Sequence, residues 1–215
     1  MAQLPLDISP PFEPAFENFI AGGNAEALAG VRALAEGTAA EPIVYLWGEP
    51  GSGRTHLLRA AARVNPALVI ADEVQSLEPA AQQALFVAIN EARERRAAVL
   101  AAGDVPPARL AMRDDLRSRL GWGLVYQLKR LSDEDRTLYL RAEAARRGFV
   151  LGDEVARYLL SRLPRDLSSL GRVMELLDRH SLARQRPLTV PLVREALGSL
   201  AEGVAESPRE PRRKT

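Results

Sequence analysis

The stretch "GEPGSGRT", Gly48 to Thr55, constrains this chain more than any other. Its spacing is that of a phosphate-binding loop, G-x-x-x-x-G-K-[ST], with Arg54 where lysine is expected. The flanks suit the motif. "PIVYLW" (42–47) is a β-branched and aromatic run that stops at glycine, as a buried parallel strand does, and "THLLRAAARV" after the loop has a helical pattern. In that order, behind the opening Gly48, the backbone N–H groups of Gly51, Ser52, Gly53, Arg54 and Thr55 converge on phosphate oxygens at a helix N-terminus. The Thr55 hydroxyl then serves Mg²⁺. A glycine-rich turn that merely joins strand to helix is the bland alternative. A second apolar run, "ALVIADE" (67–73), ends in Asp72 and Glu73. Beside such a loop these acids take the Walker B role, in which Asp72 holds Mg²⁺ through water and Glu73 orients an attacking water.

The chain goes on alternating. Residues 1–15 carry Pro5, Pro10, Pro11 and Pro14 without helical periodicity, which reads as an extended lead-in. Asn24 is placed to cap a helix through Leu34 that ends before Gly37. Pro79 opens a helix with Ala81, Leu85, Ile89 and Ala92 on one face, ahead of the basic run Arg93, Arg95, Arg96. "AAVLAAGD" (97–104) is a third strand, a helix is expected over 107–119, and "GLVYQL" (123–128) is a fourth strand. Strands alternating with helices predict an α/β fold with a parallel sheet. After Leu131 only helices follow. Ser132 with Asp135 resembles a capping box for a helix that ends at Gly148. Further helices are expected over Asp153–Leu163, around Leu170, Val173 and Leu177, and over Pro191–Leu200. The expected organisation is a lead-in (1–15), an α/β base (16–130), a small helical domain (131–200) and a disordered tail (201–215).

Composition excludes more than it indicates. Lys plus Arg (29) nearly balance Asp plus Glu (28), so no global field draws the 215-residue chain to nucleic acid or an anionic membrane. Without cysteine there are no disulfides, thiol catalysis or thiolate zinc sites. His56 and His180 are too few for histidine-based metal chemistry. No apolar run approaches the roughly 20 residues that span a bilayer, and the amino terminus lacks a secretory pattern, so a cytoplasmic address is expected.

At this point the residues resemble the AAA+ ATPases, and within them the DnaA/Hda branch, from Gln3 to about Leu200. "RDDLRSRLGWGLVYQL" is similar to the box VII region, "AAGDVPPARL" to the sensor 1 segment, and "FENFIAGGN" (16–24) to the segment that opens the module. "LPRDLSSL" (163–170) resembles sensor 2 and makes Arg165 the sensor arginine. Most members carry a further strand and helix between the loop helix and the Walker B strand. Here Thr55 to Ala71 leaves room for a helix and a turn, so the resemblance implies an AAA+ base lacking its edge strand, plus a helical lid. The expected absence of an N-terminal interaction domain and of a helix-turn-helix after Leu200, together with Arg54, matches the Hda side of the branch.

The resemblance implies ADP (or ATP), with Mg²⁺, as a structural cofactor. Guanidinium is larger and planar where lysine is compact, so Arg54 is expected to slow self-hydrolysis while still holding a diphosphate; Glu73 remains consistent with residual ATPase activity. Arg165 is expected to point to the protein's own nucleotide. Arg119 is expected to act as an arginine finger toward ATP held by DnaA, with Arg113 and Arg117 as competitors and an ordinary ion-paired arginine as the alternative. Gln3, Leu4, Leu6 and Ile8 resemble the clamp-binding peptide Q-L-x-L-x-[LI], which implies the β sliding clamp as a partner and contact with DNA, and so with the nucleoid, through the clamp. A homo-oligomer is compatible with the reading. The implied role is negative regulation of replication initiation; the rivals are a self-acting AAA+ ATPase, such as a helicase or transposition loader, and a passive clamp-tethered adaptor. Trp47 and Trp122 read as strand-end packing, and His56 as packing beside the loop helix.

Overall fold

The computed structural model describes residues 13–94, 96–162, 170–171, 173–178 and 189–195. Gln3, Leu4, Leu6, Ile8, Arg95, Leu163, Arg165 and the tail at 201–215 lie outside the described residues. The described chain divides into two compact units, residues 13–135 and the helices that follow.

The first unit is a parallel four-stranded sheet in the order β2-β3-β1-β4, formed by β1 (Ile43–Gly48), β2 (Val69–Ala71), β3 (Val99–Gly103) and β4 (Leu124–Leu128). Ile43 pairs with Val99, and Gly48 with Leu128. The period-two alternation of β1 builds two cores. Val44 and Leu46 face one core with α1 (Ala25–Ala35) and α2 (Arg54–Val64). Ile43 and Tyr45 face the other, with α3 (Pro79–Arg93) and α4 (Asp114–Leu120). β1 and β3 are buried on both faces because helices cover both. β2 forms an edge of the sheet and is half-buried at each of its positions. Asn65 closes the turn that leads into it, its side chain accepting from Ala67 N–H at 3.0 Å and its carbonyl from Leu68 N–H at 3.1 Å. That turn, with α2, fills the whole span from loop to Walker B strand. A three-residue edge also offers little unpaired backbone to foreign strands.

Three local expectations fail for tertiary reasons. Asn24 precedes α1 but makes no side-chain cap. Its amide is drawn instead to the exit of β4, donating to Lys129 O at 2.9 Å and accepting from Lys129 N–H at 2.8 Å. Ala81 is exposed, and the buried face of α3 is Leu85, Ala88, Ile89 and Ala92. The helix expected over 107–119 is broken: Pro107–Arg109 is a single 3-10 turn, Leu110 is extended and buried in the second core, and α4 begins only at Asp114.

α5 (Asp133–Arg146) starts in the first unit from a reciprocal cap in which Ser132 Oγ donates to Asp135 Oδ2 at 2.7 Å and accepts from Asp135 N–H at 3.0 Å, and from Arg136 on it belongs to the second unit. Gly148, at φ +82°, ends that helical stretch in the left-handed region. α6 (Asp153–Arg162) and the helical residues 170–171, 173–178 and 190–195 follow. Leu140, Ala144, Val155, Leu159, Leu170 and Leu177 are buried at helical spacing. Among them lies a charged cluster: Glu143, 8% exposed, accepts from Arg146 Nη2 and Arg147 Nε at 2.7 Å each, and Arg147 reaches on to Asp178 at 3.4 Å.

Candidate nucleotide site and the Arg119 stack

The loop sits at the carboxyl end of β1, where the chain order reverses between β3 and β4, the place in which open α/β sheets receive ligands. Gly51 at φ +83° and Gly53 at φ +98° take left-handed conformations that a side chain resists, and α2 starts directly after Gly53. Space is equally tight. A Cβ at Gly53 would lie 2.7 Å from the Phe19 ring, and one at Gly48 would meet Leu128 O. The loop is therefore held between the segment before α1 and the exit of β4. His56, behind the loop, is buried and has its Nε2 2.9 Å from Ala15 O, which anchors that opening segment; burial pushes its pKa below the ordinary value.

Two polar atoms of the loop, Ser52 Oγ and Arg54 Nη1, are buried with no hydrogen-bond partner among the described residues. Buried polar groups ordinarily find partners. A donor-rich loop with an uncompensated guanidinium nitrogen fits a phosphate anion, which would accept from both. Thr55 Oγ1 donates to Asp72 Oδ2 at 2.6 Å, so the two residues expected to serve Mg²⁺ already face each other. One carboxylate and one hydroxyl suit a cation that keeps several waters and takes phosphate oxygens. Asp72 Oδ1 also accepts from Glu73 N–H at 2.9 Å. Glu73 is the only described non-glycine residue at positive φ, 48°, and its carboxylate is exposed. Gln75 then reaches the turn after β3, where Asp104 N–H donates to its Oε1 at 3.3 Å. Tyr45 secures that turn from below, its hydroxyl donating to Val105 O at 2.9 Å; burial pushes this phenol well above its usual range.

Arg119 lies elsewhere. α4 delivers it before β4, so it belongs to the amino end of the sheet, where a Cβ at Gly123 would strike the Ile43 backbone. Ile43 and Gly48 bound β1, whose five residue steps put the loop roughly 16 Å away along the strand. Nor does Arg119 project freely. Its guanidinium carbon sits 4.1 Å from the centre of the Phe86 ring and 4.9 Å from that of Trp122. Nε donates to Asn90 Oδ1 at 2.9 Å, and Nη1 to Asp115 O at 3.2 Å. The stack continues at both ends, with Arg113 over Phe86 at 4.9 Å and Arg93 over Trp122 at 4.5 Å. Arg113 is tied bidentately to Asp115, which raises its own pKa and lowers that of the carboxylate, and Arg117 pairs with Asp114 at 2.7 Å. Both competitors are thus engaged in ion pairs. Trp122, read from sequence as strand-end packing, is 41% exposed and carries an arginine stack.

Sequence reasoning passed over Phe86, Asn90 and Arg130. Phe86, Asn90 and Arg93 recur at helical spacing on one side of α3, the signal by which the first two were detectable. Arg130 had no such signal, since its partners, Glu49 and Pro50, are remote in sequence. No helix among the described residues is long and apolar enough to cross a membrane.

Residues 133–197 match the family model described as "Hda, lid domain". An uncharacterized protein of Haemophilus influenzae is 34% identical over 91% of this chain and 98% of its own length. Among solved structures, domain III of the Thermotoga maritima replication initiation protein DnaA aligns with a TM-score of 0.69 at 21% identity, covering 88% of this chain and 98% of that one. AMPPCP-bound DnaA from Aquifex aeolicus aligns with a TM-score of 0.64 at 24% identity, covering 90% and 74%. The base shares the fold of these initiators and the helical unit carries the lid match: the chain belongs to the DnaA/Hda branch of the AAA+ family.

Proposed function

We propose that the protein is an Hda-like negative regulator of replication initiation, which holds an adenine nucleotide, ADP or ATP with Mg²⁺, in its own loop and acts on ATP bound to DnaA through Arg119. The observation that carries this reading is the separation of the two sites. Arg119 stands at the opposite end of the sheet from the loop of its own chain, so a nucleotide it touches must belong to another subunit. The aromatic stack and Asn90 hold the guanidinium in a defined direction, as charge stabilisation in trans requires. A finger supplied in trans is worth about 10³ to 10⁵ in rate in the GTPase case. Own-nucleotide binding is supported by the orphaned loop atoms Ser52 Oγ and Arg54 Nη1, the Thr55–Asp72 pair, and the AMPPCP held by the Aquifex DnaA of like fold. Gly48, Gly51 and Gly53 shape the loop, and Arg165 is assigned to the same nucleotide. The short motif Gln3, Leu4, Leu6, Ile8 is assigned to the β sliding clamp, which would bring the protein to DNA indirectly and keep it with the nucleoid in the cytoplasm.

The test is single-turnover hydrolysis of ATP preloaded on DnaA, with clamp loaded on DNA, comparing the protein with Arg119→Ala and with Gln3→Ala/Leu4→Ala. Acceleration that Arg119→Ala abolishes supports the reading; unchanged DnaA-bound ATP in the presence of the wild-type protein refutes it. Acceleration that survives loss of Gln3 and Leu4 would remove the clamp from the scheme. A second reading, a self-acting ATPase, is favoured by the Thr55–Asp72 pair with Glu73 beside it. Steady ATP turnover by the protein alone, lost in Glu73→Gln, would establish that instead.

A further inference from the structure

Residues Glu49 to Ser52 close a four-residue turn in which Ser52 N–H donates to Glu49 O at 3.1 Å. Pro50 stands second and Gly51, at φ +83°, third, the signature of a type II turn. Types I and II differ in the direction of the central peptide, here the one joining Pro50 to Gly51. Across a trans peptide the C=O and the N–H point to opposite sides. Whatever holds the Pro50 carbonyl therefore fixes where the Gly51 N–H aims. Arg130, just beyond β4, holds it: its Nε–H donates to Pro50 O at 2.8 Å, and the same nitrogen lies 3.2 Å from Glu49 Oε2. Two residues earlier Leu128 O fills the space beside Gly48. The exit of β4 thus grips the first arm of the loop at two points.

We propose that Arg130 is a positioning residue of the phosphate loop. It selects the peptide orientation that turns the Gly51 N–H, on the side away from Arg130, toward the phosphates, and so sets the affinity of the chain for them. The inference rests on the nucleotide-binding reading above. Pro50 has no N–H of its own, so the Gly51 amide is the first donor this arm offers beyond Glu49. With the peptide inverted, a carbonyl oxygen would face the anion in its place. The Glu49 pair, with side chains 39% and 73% exposed, steers the guanidinium but adds little by itself; the bond to Pro50 O carries the effect.

The experiment is calorimetric titration of the full chain with Mg-ADP, competition by inorganic pyrophosphate, and thermal unfolding without nucleotide. Arg130→Ala is expected to weaken ADP about tenfold, the scale of one charge-assisted hydrogen bond. Arg130→Lys, which can still donate to Pro50 O, should recover most of that loss, and Glu49→Gln should lose less than about threefold. Pyrophosphate must weaken by the same factor as ADP at a temperature well below the unfolding midpoint of each protein without nucleotide, a pattern that general destabilisation does not produce. If the wild-type chain binds and Arg130→Ala binds equally well, or loses ADP but not pyrophosphate, the inference is overturned alone. If the wild-type chain binds neither ligand, the nucleotide reading falls and takes this inference with it. Should Arg130→Ala fail to fold, a tenfold loss in Glu49→Gln would equally refute the proposal, because it would assign the effect to the ion pair.

Discussion

Replacing Arg119 by alanine removes more than the finger proposed above. Its guanidinium stacks on two rings, at 4.1 and 4.9 Å, and each such contact contributes about 0.5–1 kcal/mol at a partly exposed site. The bond to Asn90 at 2.9 Å adds on the order of 1 kcal/mol. Arg119→Ala is therefore expected to destabilise the base by about 2 kcal/mol, which for a chain of this size lowers the unfolding midpoint by about 4–8 °C. Arg119→Lys keeps the charge but loses planar stacking and the Nε–H bond, and should cost about half as much. Thermal unfolding followed by circular dichroism and by tryptophan fluorescence measures both. Midpoints for Arg119→Ala within about 1 °C of wild type would refute the stack as an energetic feature. The consequence for the hydrolysis assay is practical. Arg119→Ala must be tested well below its own unfolding midpoint, or lost stability will be mistaken for a lost finger.

The other predictions concern charge and backbone. Glu143 is pushed upward by burial, but Arg146 and Arg147 outweigh this and hold its pKa below the ordinary 4.5. A depressed carboxylate contributes stability that is complete above the unfolded value and is lost as pH falls through the folded one. Glu143→Gln should thus cost about 2–3 kcal/mol in urea unfolding at pH 7 and progressively less below pH 4.5; a pH-independent difference would contradict the assignment. His56 is held neutral by burial, so its contribution is complete above 6.5 and declines as pH falls through the lowered folded value. The unfolding midpoint should drop between pH 7.5 and 5.5, and His56→Gln should flatten that slope. Gly53→Ala, at φ +98° and 2.7 Å from the Phe19 ring, should destabilise by about 1–2 kcal/mol and abolish Mg-ADP binding; retained binding would show that the loop tolerates another backbone shape.

The four strands were legible because each is a short apolar run with a turn residue at one end, Gly123 before β4 and Gly48, Asp72 and Asp104 at the ends of the others, and the Ser132–Asp135 cap because its partners lie within one helical turn. The break before α4 was not, because burial of Leu110 in the second core overrides a helical pattern that propensity alone supports. Asn24 is the same lesson with a polar side chain. A good local cap was available, yet the backbone of Lys129 satisfies both ends of the amide at once.

By itself the sequence determined what is local: a phosphate loop between strand and helix, two acids closing the next strand, and an arginine at the end of a short helix. Tertiary structure decided what these can reach. Parallel pairing in the order β2-β3-β1-β4 brings Thr55 to Asp72 at the carboxyl end of the sheet, leaves Arg119 at the amino end, and folds Arg130 back onto the loop from a strand that follows it by most of the base. The reason is physical: spacing along a chain fixes neighbours only within a turn or a strand, whereas crossover connections set which strand ends share a face, and that depends on how both apolar faces of the sheet are covered at once.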